Sequence, residues 1–438
     1  MNKLKSKSIA VIAILVLLLL GIGAFSVHRL CQPQVIKLGV FVGSPWGVPD
    51  PYTFEFLDSA IAKFEAENSG VKVEYVSGIQ RDDYSEWLAG NILTGDAPDV
   101  FMVLPEDFST LQKVGALRSL DMVMKKDSSF NPEDFYEGAY TCGSSEGVQY
   151  ALPMETAPDI MFVNKTLLES EGIEVPDENW TWDQLYYICK KVTKDTDGNG
   201  VIDQFGIYNY NWEHAFVTNG VAYFDEEGTA CDIQGENAQQ AVTFINELND
   251  LGQGAVITAT DFDTGKVAFM PLTLAEYRTY KPYPWSIKKY SAFDWECIPL
   301  PRGPQGDNVS RMNTLLVGMN SRTKKTALSW ELMKTFCYDE QIQNDIYKYR
   351  GGGAVLKSIL AQEDQLLIEN QILPEDSSIN IMMIENVLEK GKADYTFDRV
   401  AEAKRMLGQG IDDIVENDKN PQIALKSLQR EIDRFLER

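Results

Sequence analysis

The sequence predicts an α/β protein built on mostly parallel sheets, and the order of elements in its first hundred residues carries this prediction. Residues 35–42 are mostly apolar and β-branched, as in a buried strand. An amphipathic helix is predicted over 54–64 and an alternating strand over 71–75, followed by a helix over 84–93 and a strand over 98–103. Strand, helix, strand, helix, strand is the pattern of a parallel sheet with helices on its faces.

The remainder of the chain continues this mixture of helices and strands. Thr181 and Gln184 have the spacing of a capping box, which predicts a helix that begins here and ends near Val192. Near the C-terminus, Asn420 and Pro421 predict the start of a last helix. Apolar patterns predict further strands at 205–210 and 268–270 and further helices at 238–251 and 323–336.

Length, charge and composition exclude several classes of protein. A chain of 438 residues is long enough for two hydrophobic cores. Its formal net charge of -25 argues against nucleic acid or an anionic membrane surface as a partner. The cysteines are widely spaced without a CxxC motif, so we expect most of them to be small buried residues. With only two histidines, a histidine-based catalytic triad or zinc site is not expected.

The N-terminus predicts export from the cytoplasm. Three lysines within the first seven residues precede an uncharged run over 9–27, which is the pattern of an export signal. Ala24-Phe25-Ser26 offers a cleavage site, and the run is long enough to span a bilayer if it is not cut. Lipidation at Cys31 is disfavoured because His28-Arg29-Leu30 precedes it, where small residues are usual. Cleavage, an uncleaved anchor and lipidation of residues 1–34 remain open, and each leaves the rest outside the cytoplasm.

One loop has the ligand order of a calcium site. Oxygen-bearing side chains alternate along 195–203, and Gly200 stands at the sixth position, where such a loop turns sharply. The twelfth position is Gly206 instead of the bidentate Glu of an EF-hand, which argues against a calcium sensor. An Asp/Asn/Gly turn without metal is the alternative. The predicted ligands of a structural Ca²⁺ ion are Asp195, Asp197, Asn199, the Val201 carbonyl and Asp203.

An ordered series of motifs resembles one family. The series covers nearly all of the chain after residue 35, and each motif alone is weak. It consists of Phe64-Glu65-Ala66-Glu67-Asn68, Leu93-Thr94-Gly95-Asp96-Ala97-Pro98-Asp99-Val100, Gly115-Ala116-Leu117 with Leu120-Asp121, Tyr150-Ala151-Leu152-Pro153, Phe162-Val163-Asn164-Lys165, Thr181-Trp182-Asp183 and Gly265-Lys266-Val267-Ala268-Phe269-Met270. In this order, after an export signal, the chain resembles the sugar-type (family 1) extracellular solute-binding proteins of bacterial ABC importers.

The resemblance implies a periplasmic-binding-protein-like fold of two α/β lobes that close on a ligand at a hinge. It divides the chain into a first lobe of 35–148 plus 309–348 and a second lobe of 149–308 plus 349–438. It implies a monomer that captures a carbohydrate, such as an oligosaccharide, and delivers it to the membrane-spanning permease subunits without catalysing a reaction. Two alternatives remain open, namely a receptor of the same fold that signals to a membrane sensor kinase, and an extracellular glycosidase with two catalytic carboxylates.

Candidate ligand contacts follow from the resemblance and from the chemistry of sugars. Aromatic rings cover the C–H faces of pyranoses, and carboxylates, amides or guanidinium groups bond their hydroxyls. Trp46 lies in a Pro/Gly loop after the first strand, where open α/β sheets bind ligands. Local packing, helix capping or lobe-to-lobe ion pairing is the alternative for each candidate. The candidates are Trp46, Glu106, Asp107, Glu155, Tyr210, Trp212, Tyr277, Trp285 and Arg350.

Overall fold

The computed structural model describes residues 33–50, 53–280, 293–361 and 380–437. Nearly all of the predicted export segment 1–34 lies outside these ranges, and so does Trp285. Within the described ranges, no helix combines the length and the apolar character needed to cross a membrane. The five described cysteines are free and buried, as the sequence predicts.

Nine of the eleven described strands form one sheet. Along the sheet the order is β2-β1-β3-β10-β6-β8-β7, with β11 beside β10 and β9 beside β6, while β4 and β5 form a separate hairpin. The strands are β1 Gln34–Gly39, β2 Val71–Tyr75, β3 Val100–Val103, β4 Ser144–Ser145, β5 Val148–Gln149, β6 Ala151–Asn164, β7 Phe205–Ile207, β8 Val267–Thr273, β9 Trp295–Ile298, β10 Arg311–Met319 and β11 Lys392–Ala393.

Helices cover the sheet, and two short 3₁₀ turns at Pro105–Asp107 and Pro132–Asp134 connect elements of the first part of the chain. The described helices are α1 Thr53–Glu67, α2 Arg81–Thr94, α3 Phe108–Lys113, α4 Asp121–Met124, α5 Glu137–Thr141, α6 Lys165–Ser170, α7 Trp182–Val192, α8 Trp212–Thr218, α9 Glu236–Leu251, α10 Ala259–Asp263, α11 Leu274–Tyr280, α12 Thr326–Cys337, α13 Glu340–Tyr349, α14 Ile381–Lys390, α15 Val400–Glu416 and α16 Pro421–Leu436.

The long strand β6 runs through the middle of this sheet. Its first half, Ala151–Pro158, pairs antiparallel with β10. Its second half pairs antiparallel with β8 over Asp159–Val163 and with β9 over Met161–Asn164. Parallel pairs flank this centre, since β1 pairs with β2 and β3, and β7 pairs with β8. The predicted α/β class is confirmed, and β6 is the segment that carries the chain from one half of the molecule to the other.

Two hydrophobic clusters lie on either side of this crossing. The first surrounds β1, β3 and β10 and continues across β6 to Phe162 and Trp295. The second surrounds α7, α8, α9, α15 and α16. The regions around these clusters are called the first and the second lobe. The lobe boundaries predicted from the sequence remain predictions.

Local signals in the sequence place most elements correctly. The Thr181 capping box is formed and begins α7, and Asn420 caps α16 with Pro421 in its first turn. The strand predicted over 205–210 ends at Ile207 instead. Asn209 adopts φ 63, a left-handed conformation that interrupts extended backbone, and the chain then turns into α8.

Candidate functional site

The carboxyl ends of three parallel strands meet at one edge of the first lobe. Because β1 lies between β2 and β3, the segments that follow these strands come together. A bridge between Val42 and Gln80 joins the segments after β1 and β2. Arg81 Nη2 lies 2.5 Å from Glu106 Oε1, which joins the segments after β2 and β3. The Trp46 loop and Glu106 therefore belong to one edge, as predicted.

Two of the predicted acidic contacts follow β3 and differ in their surroundings. The Glu106 side chain is 41% exposed and is paired with Arg81. Asp107 Oδ2 accepts a hydrogen bond from Ser85 Oγ at 2.6 Å. Burial, together with the charge of Glu106, raises the pKa of Asp107. Both carboxylates have protein partners, and their contact with a ligand stays a prediction.

Glu155 on β6 is the centre of a buried network. The indole Nε1 of Trp46 donates to Glu155 Oε1 at 2.8 Å, and the backbone N–H of Gly352 donates to the same oxygen at 2.7 Å. Arg350 Nε donates to Glu155 Oε2 at 2.7 Å. Arg350 Nη1 lies 3.0 Å from Asp50 Oδ2, so the guanidinium stands between two carboxylates. The structure thus brings together three predicted residues, and Asp50 completes the group.

The ion-paired side chains of this network are almost fully buried. The side chains of Glu155 and Arg350 are 0% and 1% exposed. Burial opposes the positive charge of Arg350, but Glu155 and Asp50 outweigh it, and the pKa of the guanidinium is raised. Buried charges of this kind are tolerated only when they are paired and hydrogen-bonded. Glu155 and Arg350 therefore join the first lobe to β6.

A β-bulge in β6 positions Glu155. Leu315 of β10 lies opposite Glu155, whereas Leu316 lies opposite Pro153, so Met154 is an extra residue on β6. Bulges of this type bend a strand and redirect the side chains beside them. The redirected carboxylate is the one that meets Trp46.

Three consecutive glycines allow the chain after α13 to pass close to this network. A Cβ on Gly352 would stand 2.5 Å from Glu155 Cγ and 2.9 Å from Trp46 Nε1. A Cβ on Gly353 would stand 3.0 Å from Leu274 Cδ2 at the start of α11. Larger residues do not fit here, and the close approach holds Trp46, β6 and α11 together.

A second polar group lies on the side of the second lobe. Lys404 Nζ on α15 is 2.7 Å from Asp394 Oδ2 and 3.3 Å from Glu213 Oε2 at the start of α8. Asp159 Oδ2 on β6 is 3.8 Å from His214 Nε2. These five residues, Asp159, Glu213, His214, Asp394 and Lys404, form the second-lobe polar cluster.

Burial changes the protonation of two members of this cluster. Burial, with added repulsion from Glu213 and Glu276, raises the pKa of Asp159 to about 7. Burial lowers the pKa of His214 to about 4, so its imidazole is neutral near pH 7. Perturbed groups such as these concentrate at functional sites.

A surface ion pair joins the lobes at a different point. Lys113 Nζ at the end of α3 lies 3.7 Å from Asp398 Oδ2, just before α15. The Glu155 network and the second-lobe polar cluster meet along β6, because Glu155 and Asp159 lie four residues apart on this strand. The space between the lobes is the candidate binding cleft.

Three of the predicted aromatic contacts are packed in hydrophobic cores, Tyr210 and Trp212 in the second cluster and Tyr277 in the first. Tyr210 and Trp212 are each 8% exposed, and Tyr277 is 2% exposed. The Trp212 ring meets the rings of Phe216 and Tyr223 edge to face. A cavity of about 320 Å³ lies beside Tyr210 and Trp212 within the second lobe. Their contact with a ligand stays a prediction, but their position is that of core residues.

The sequence analysis did not select the second-lobe polar cluster or Asp50. Asp159 is the one charge in the otherwise apolar segment 157–163, a signal that could have identified it. His214 follows Asn211 at the spacing of a capping box. Asp394 and Lys404 left no such signal, because their separation of 10 residues matches no helical spacing and Glu213 lies 191 residues from Lys404.

The predicted calcium loop is held by hydrogen bonds of its own. Asp195 accepts from the backbone N–H groups of Gly198 and Gly200 at 2.7 and 2.6 Å. Asp203 accepts from the Thr196 N–H at 2.8 Å. In the described part of the chain, no three His, Cys, Asp or Glu side chains are arranged to hold a metal ion. Calcium binding stays a prediction.

Comparison with solved structures gives the same fold. A cyclic alpha-maltosyl-1,6-maltose binding protein from Arthrobacter globiformis matches with a TM-score of 0.77 at 14% identity, covering 93% of this chain and 100% of that chain. The sugar-binding protein MalE from Xanthomonas citri matches with a TM-score of 0.73 at 17% identity, covering 92% and 97%. An ABC substrate-binding protein from Listeria monocytogenes in complex with cycloalternan matches with a TM-score of 0.68 at 19% identity, covering 92% and 99%.

The family comparison is independent of the fold. The model of the family described as bacterial extracellular solute-binding protein matches residues 51–341, which is more than half of the chain. The two-lobed fold and the family that the motifs predict are therefore both confirmed. This chain belongs to the bacterial extracellular solute-binding proteins.

Proposed function

We propose that this protein is the extracytoplasmic substrate-binding component of an ABC importer and captures a carbohydrate between its lobes. The observation that carries the proposal is the placement of polar groups on β6. Glu155 is tied to the first lobe through Trp46 and Arg350, whereas Asp159 faces the second-lobe polar cluster. A ligand lying over β6 contacts both lobes.

The groups around this cleft suit a carbohydrate. The half-buried Trp46 offers a ring for a pyranose face, and the carboxylates, His214 and Lys404 offer hydrogen bonds to hydroxyls. The similar structures include proteins whose names state that they bind a cyclic maltosyl-maltose or a sugar. Membership in a family of binding proteins supports capture without catalysis.

Closure of the lobes supplies a signal to the transporter. Contacts to both lobes exist together only in the closed form, so a bound ligand shifts the population toward closure. The partners in this proposal are the membrane-spanning permease subunits, which accept the closed, loaded monomer. Residues 1–34 direct export, as a cleaved signal, an uncleaved anchor or a lipidated segment.

A thermal-shift screen tests the carbohydrate proposal. The exported chain is melted with maltotriose, maltotetraose and mannotriose, and at least one should raise Tm, because a ligand that binds only the folded state stabilises it. Trp46→Ala should remove the shift, whereas Trp46→Phe, which keeps a ring but not the N–H, should retain part of it. If none of these sugars shifts Tm, the proposed ligand class is wrong.

We further propose a structural Ca²⁺ ion in the loop over 195–203. The spacing of its oxygen ligands supports this, with the Val201 carbonyl at the seventh position and Asp203 at the ninth. Adding Ca²⁺ should raise Tm and EDTA should reverse the rise, while Asp195→Asn should abolish both effects. An unchanged melting midpoint on chelation would contradict a bound ion.

A further inference from the structure

Asp159 is exceptional within β6. Among the fourteen residues of this strand, it alone is not fully buried, and its side chain remains 24% exposed. His214 Nε2 lies 3.8 Å from Asp159 Oδ2, which is beyond hydrogen-bond distance. Within the described residues, no hydrogen-bond donor reaches its carboxylate. Asp159 is therefore a largely buried acceptor whose hydrogen bonds are not made inside the protein.

The His214 side chain faces Asp159 and has a hydrogen-bond donor that no acceptor among the described residues satisfies. Its Nδ1 accepts the backbone N–H of Asn211 at 3.1 Å as part of the α8 capping box. A neutral imidazole has one donor and one acceptor nitrogen, so the proton lies on Nε2. The side chain is only 9% exposed, and Nε2 has no acceptor at hydrogen-bond distance in the described structure.

The other charged groups of the cluster do not provide the hydrogen bonds that the Asp159 carboxylate lacks. Lys404 lies between Asp394 and Glu213 and is ion-paired with both. Glu213, Glu276 and Asp394 repel the Asp159 charge, and the attraction of Lys404 does not cancel this repulsion. The region is therefore net acidic and lacks a donor for Asp159.

We propose that Asp159 and His214 together bind one hydroxyl group of the carbohydrate ligand, a proposal that rests on the proposed function. The hydroxyl donates to Asp159 Oδ2 and accepts from His214 Nε2–H. An oxygen about 2.8 Å from both atoms fits their 3.8 Å separation. A hydroxyl both donates and accepts, whereas an ammonium group only donates and a carboxylate only accepts.

The pair therefore selects the chemical class and the stereochemistry of the sugar. A uronic acid carboxylate at this point would meet the charges of Asp159, Glu213 and Asp394, and the ammonium group of Lys404 is already paired with two of these carboxylates. A neutral sugar with a free hydroxyl of the right configuration satisfies both partners. The fit predicts loss of binding for the analogue that lacks this hydroxyl.

A double-mutant comparison with deoxy sugars tests the proposal. Binding is measured by calorimetry for whichever of maltotriose and mannotriose binds more tightly, for its monodeoxy analogues and for trigalacturonate. Asp159→Ala and His214→Gln should each weaken binding at least tenfold, and the double variant should bind little more weakly than either. One monodeoxy analogue should bind weakly to the wild type and be insensitive to both substitutions, and trigalacturonate should not bind.

The variants are chosen to keep the fold. Asp159→Ala removes a carboxylate without a hydrogen-bond partner, and glutamine at 214 is an ordinary capping-box residue that can accept the Asn211 N–H. Losses that are additive, or variants that bind the sugar like the wild type, would overturn the joint role while leaving the proposed function intact. A wild type that binds neither trisaccharide would overturn both proposals.

Discussion

Two carboxylates on one strand, four residues apart, have opposite surroundings. Glu155 accepts hydrogen bonds from Trp46, Gly352 and Arg350. Asp159 Oδ2 lies 3.8 Å from His214 Nε2, beyond hydrogen-bond distance. The buried charge of Glu155, which the protein satisfies, helps to join the first lobe to β6. A buried charge that the protein leaves unsatisfied lowers stability, and such groups concentrate at functional sites.

The largest effect should come from breaking the satisfied group. Arg350→Ala leaves Glu155 and Asp50 buried without their cation, and we expect the free energy of unfolding to fall by about 3–5 kcal/mol. Urea denaturation followed by tryptophan fluorescence measures this change.

A matched arginine provides the control for that measurement. Arg405 pairs with Glu402 on the surface of α15, with 53% of its side chain exposed. Arg405→Ala should change stability by less than about 0.5 kcal/mol. Equal losses of unfolding free energy in the two variants would show that burial does not account for the contribution of the Glu155 network to stability.

The second prediction concerns Asp159, whose replacement should stabilise the protein instead of destabilising it. The folded-state pKa of Asp159 is raised to about 7, above its usual value of 3.8, so folding binds a proton between these pH values. The Asp159 contribution to stability therefore becomes less favourable as pH rises from about 4 to about 7. Asp159→Asn should stabilise the protein at pH 8, by about 2 kcal/mol after allowance for partial exposure, and should have little effect near pH 4.

Asp127 gives the contrasting pH profile. Lys334 and Trp330 hold its carboxylate and its pKa is depressed, so its contribution is present at neutral pH and is lost as pH falls. Asp127→Asn should destabilise at pH 7. Because this loss occurs below the ordinary pKa of 3.8, thermal melts from pH 2 to 8 compare the two variants, and profiles of the same sign would refute the assigned environments.

The sequence predicts the helices and strands better than it predicts the contacts between their side chains. Periodicity places β1 and β2 and caps place the starts of α7 and α16, because these signals are local. The motif series also identifies the family. Trp46, Glu155 and Arg350 were selected separately, but their contact depends on a bulge at Met154 and on pairing across 195 residues.

The hydrophobicity of aromatic rings explains why three aromatic candidates lie in hydrophobic cores. Tyr210, Trp212 and Tyr277 have the composition of ligand contacts, yet a ring that covers a sugar also fills a hydrophobic core. Only the packing of α8 and α11 separates the two roles. The reverse holds for Asp159, the one charge in the apolar segment 157–163, which the sequence alone could have marked as unusual.

The smallest effect should come from the pair that joins the lobes at the surface. Lys113 and Asp398 are 3.7 Å apart, and their side chains are 53% and 48% exposed. Exposed pairs contribute about 0–1 kcal/mol and are screened by salt. Lys113→Ala should therefore leave the free energy of unfolding within about 1 kcal/mol of the wild type.

The same variant has a measurable effect on closure if the pair forms mainly in the closed state. Sugar affinity should fall by less than about threefold, and the difference should vanish in 1 M salt, where the Debye length is about 3 Å. Lys165→Ala removes a pair with Glu296 within the second lobe and should leave affinity unchanged. A loss of stability in Lys113→Ala as large as that in Arg350→Ala would contradict a minor role for this surface pair. An exposed pair cannot supply that much free energy by itself.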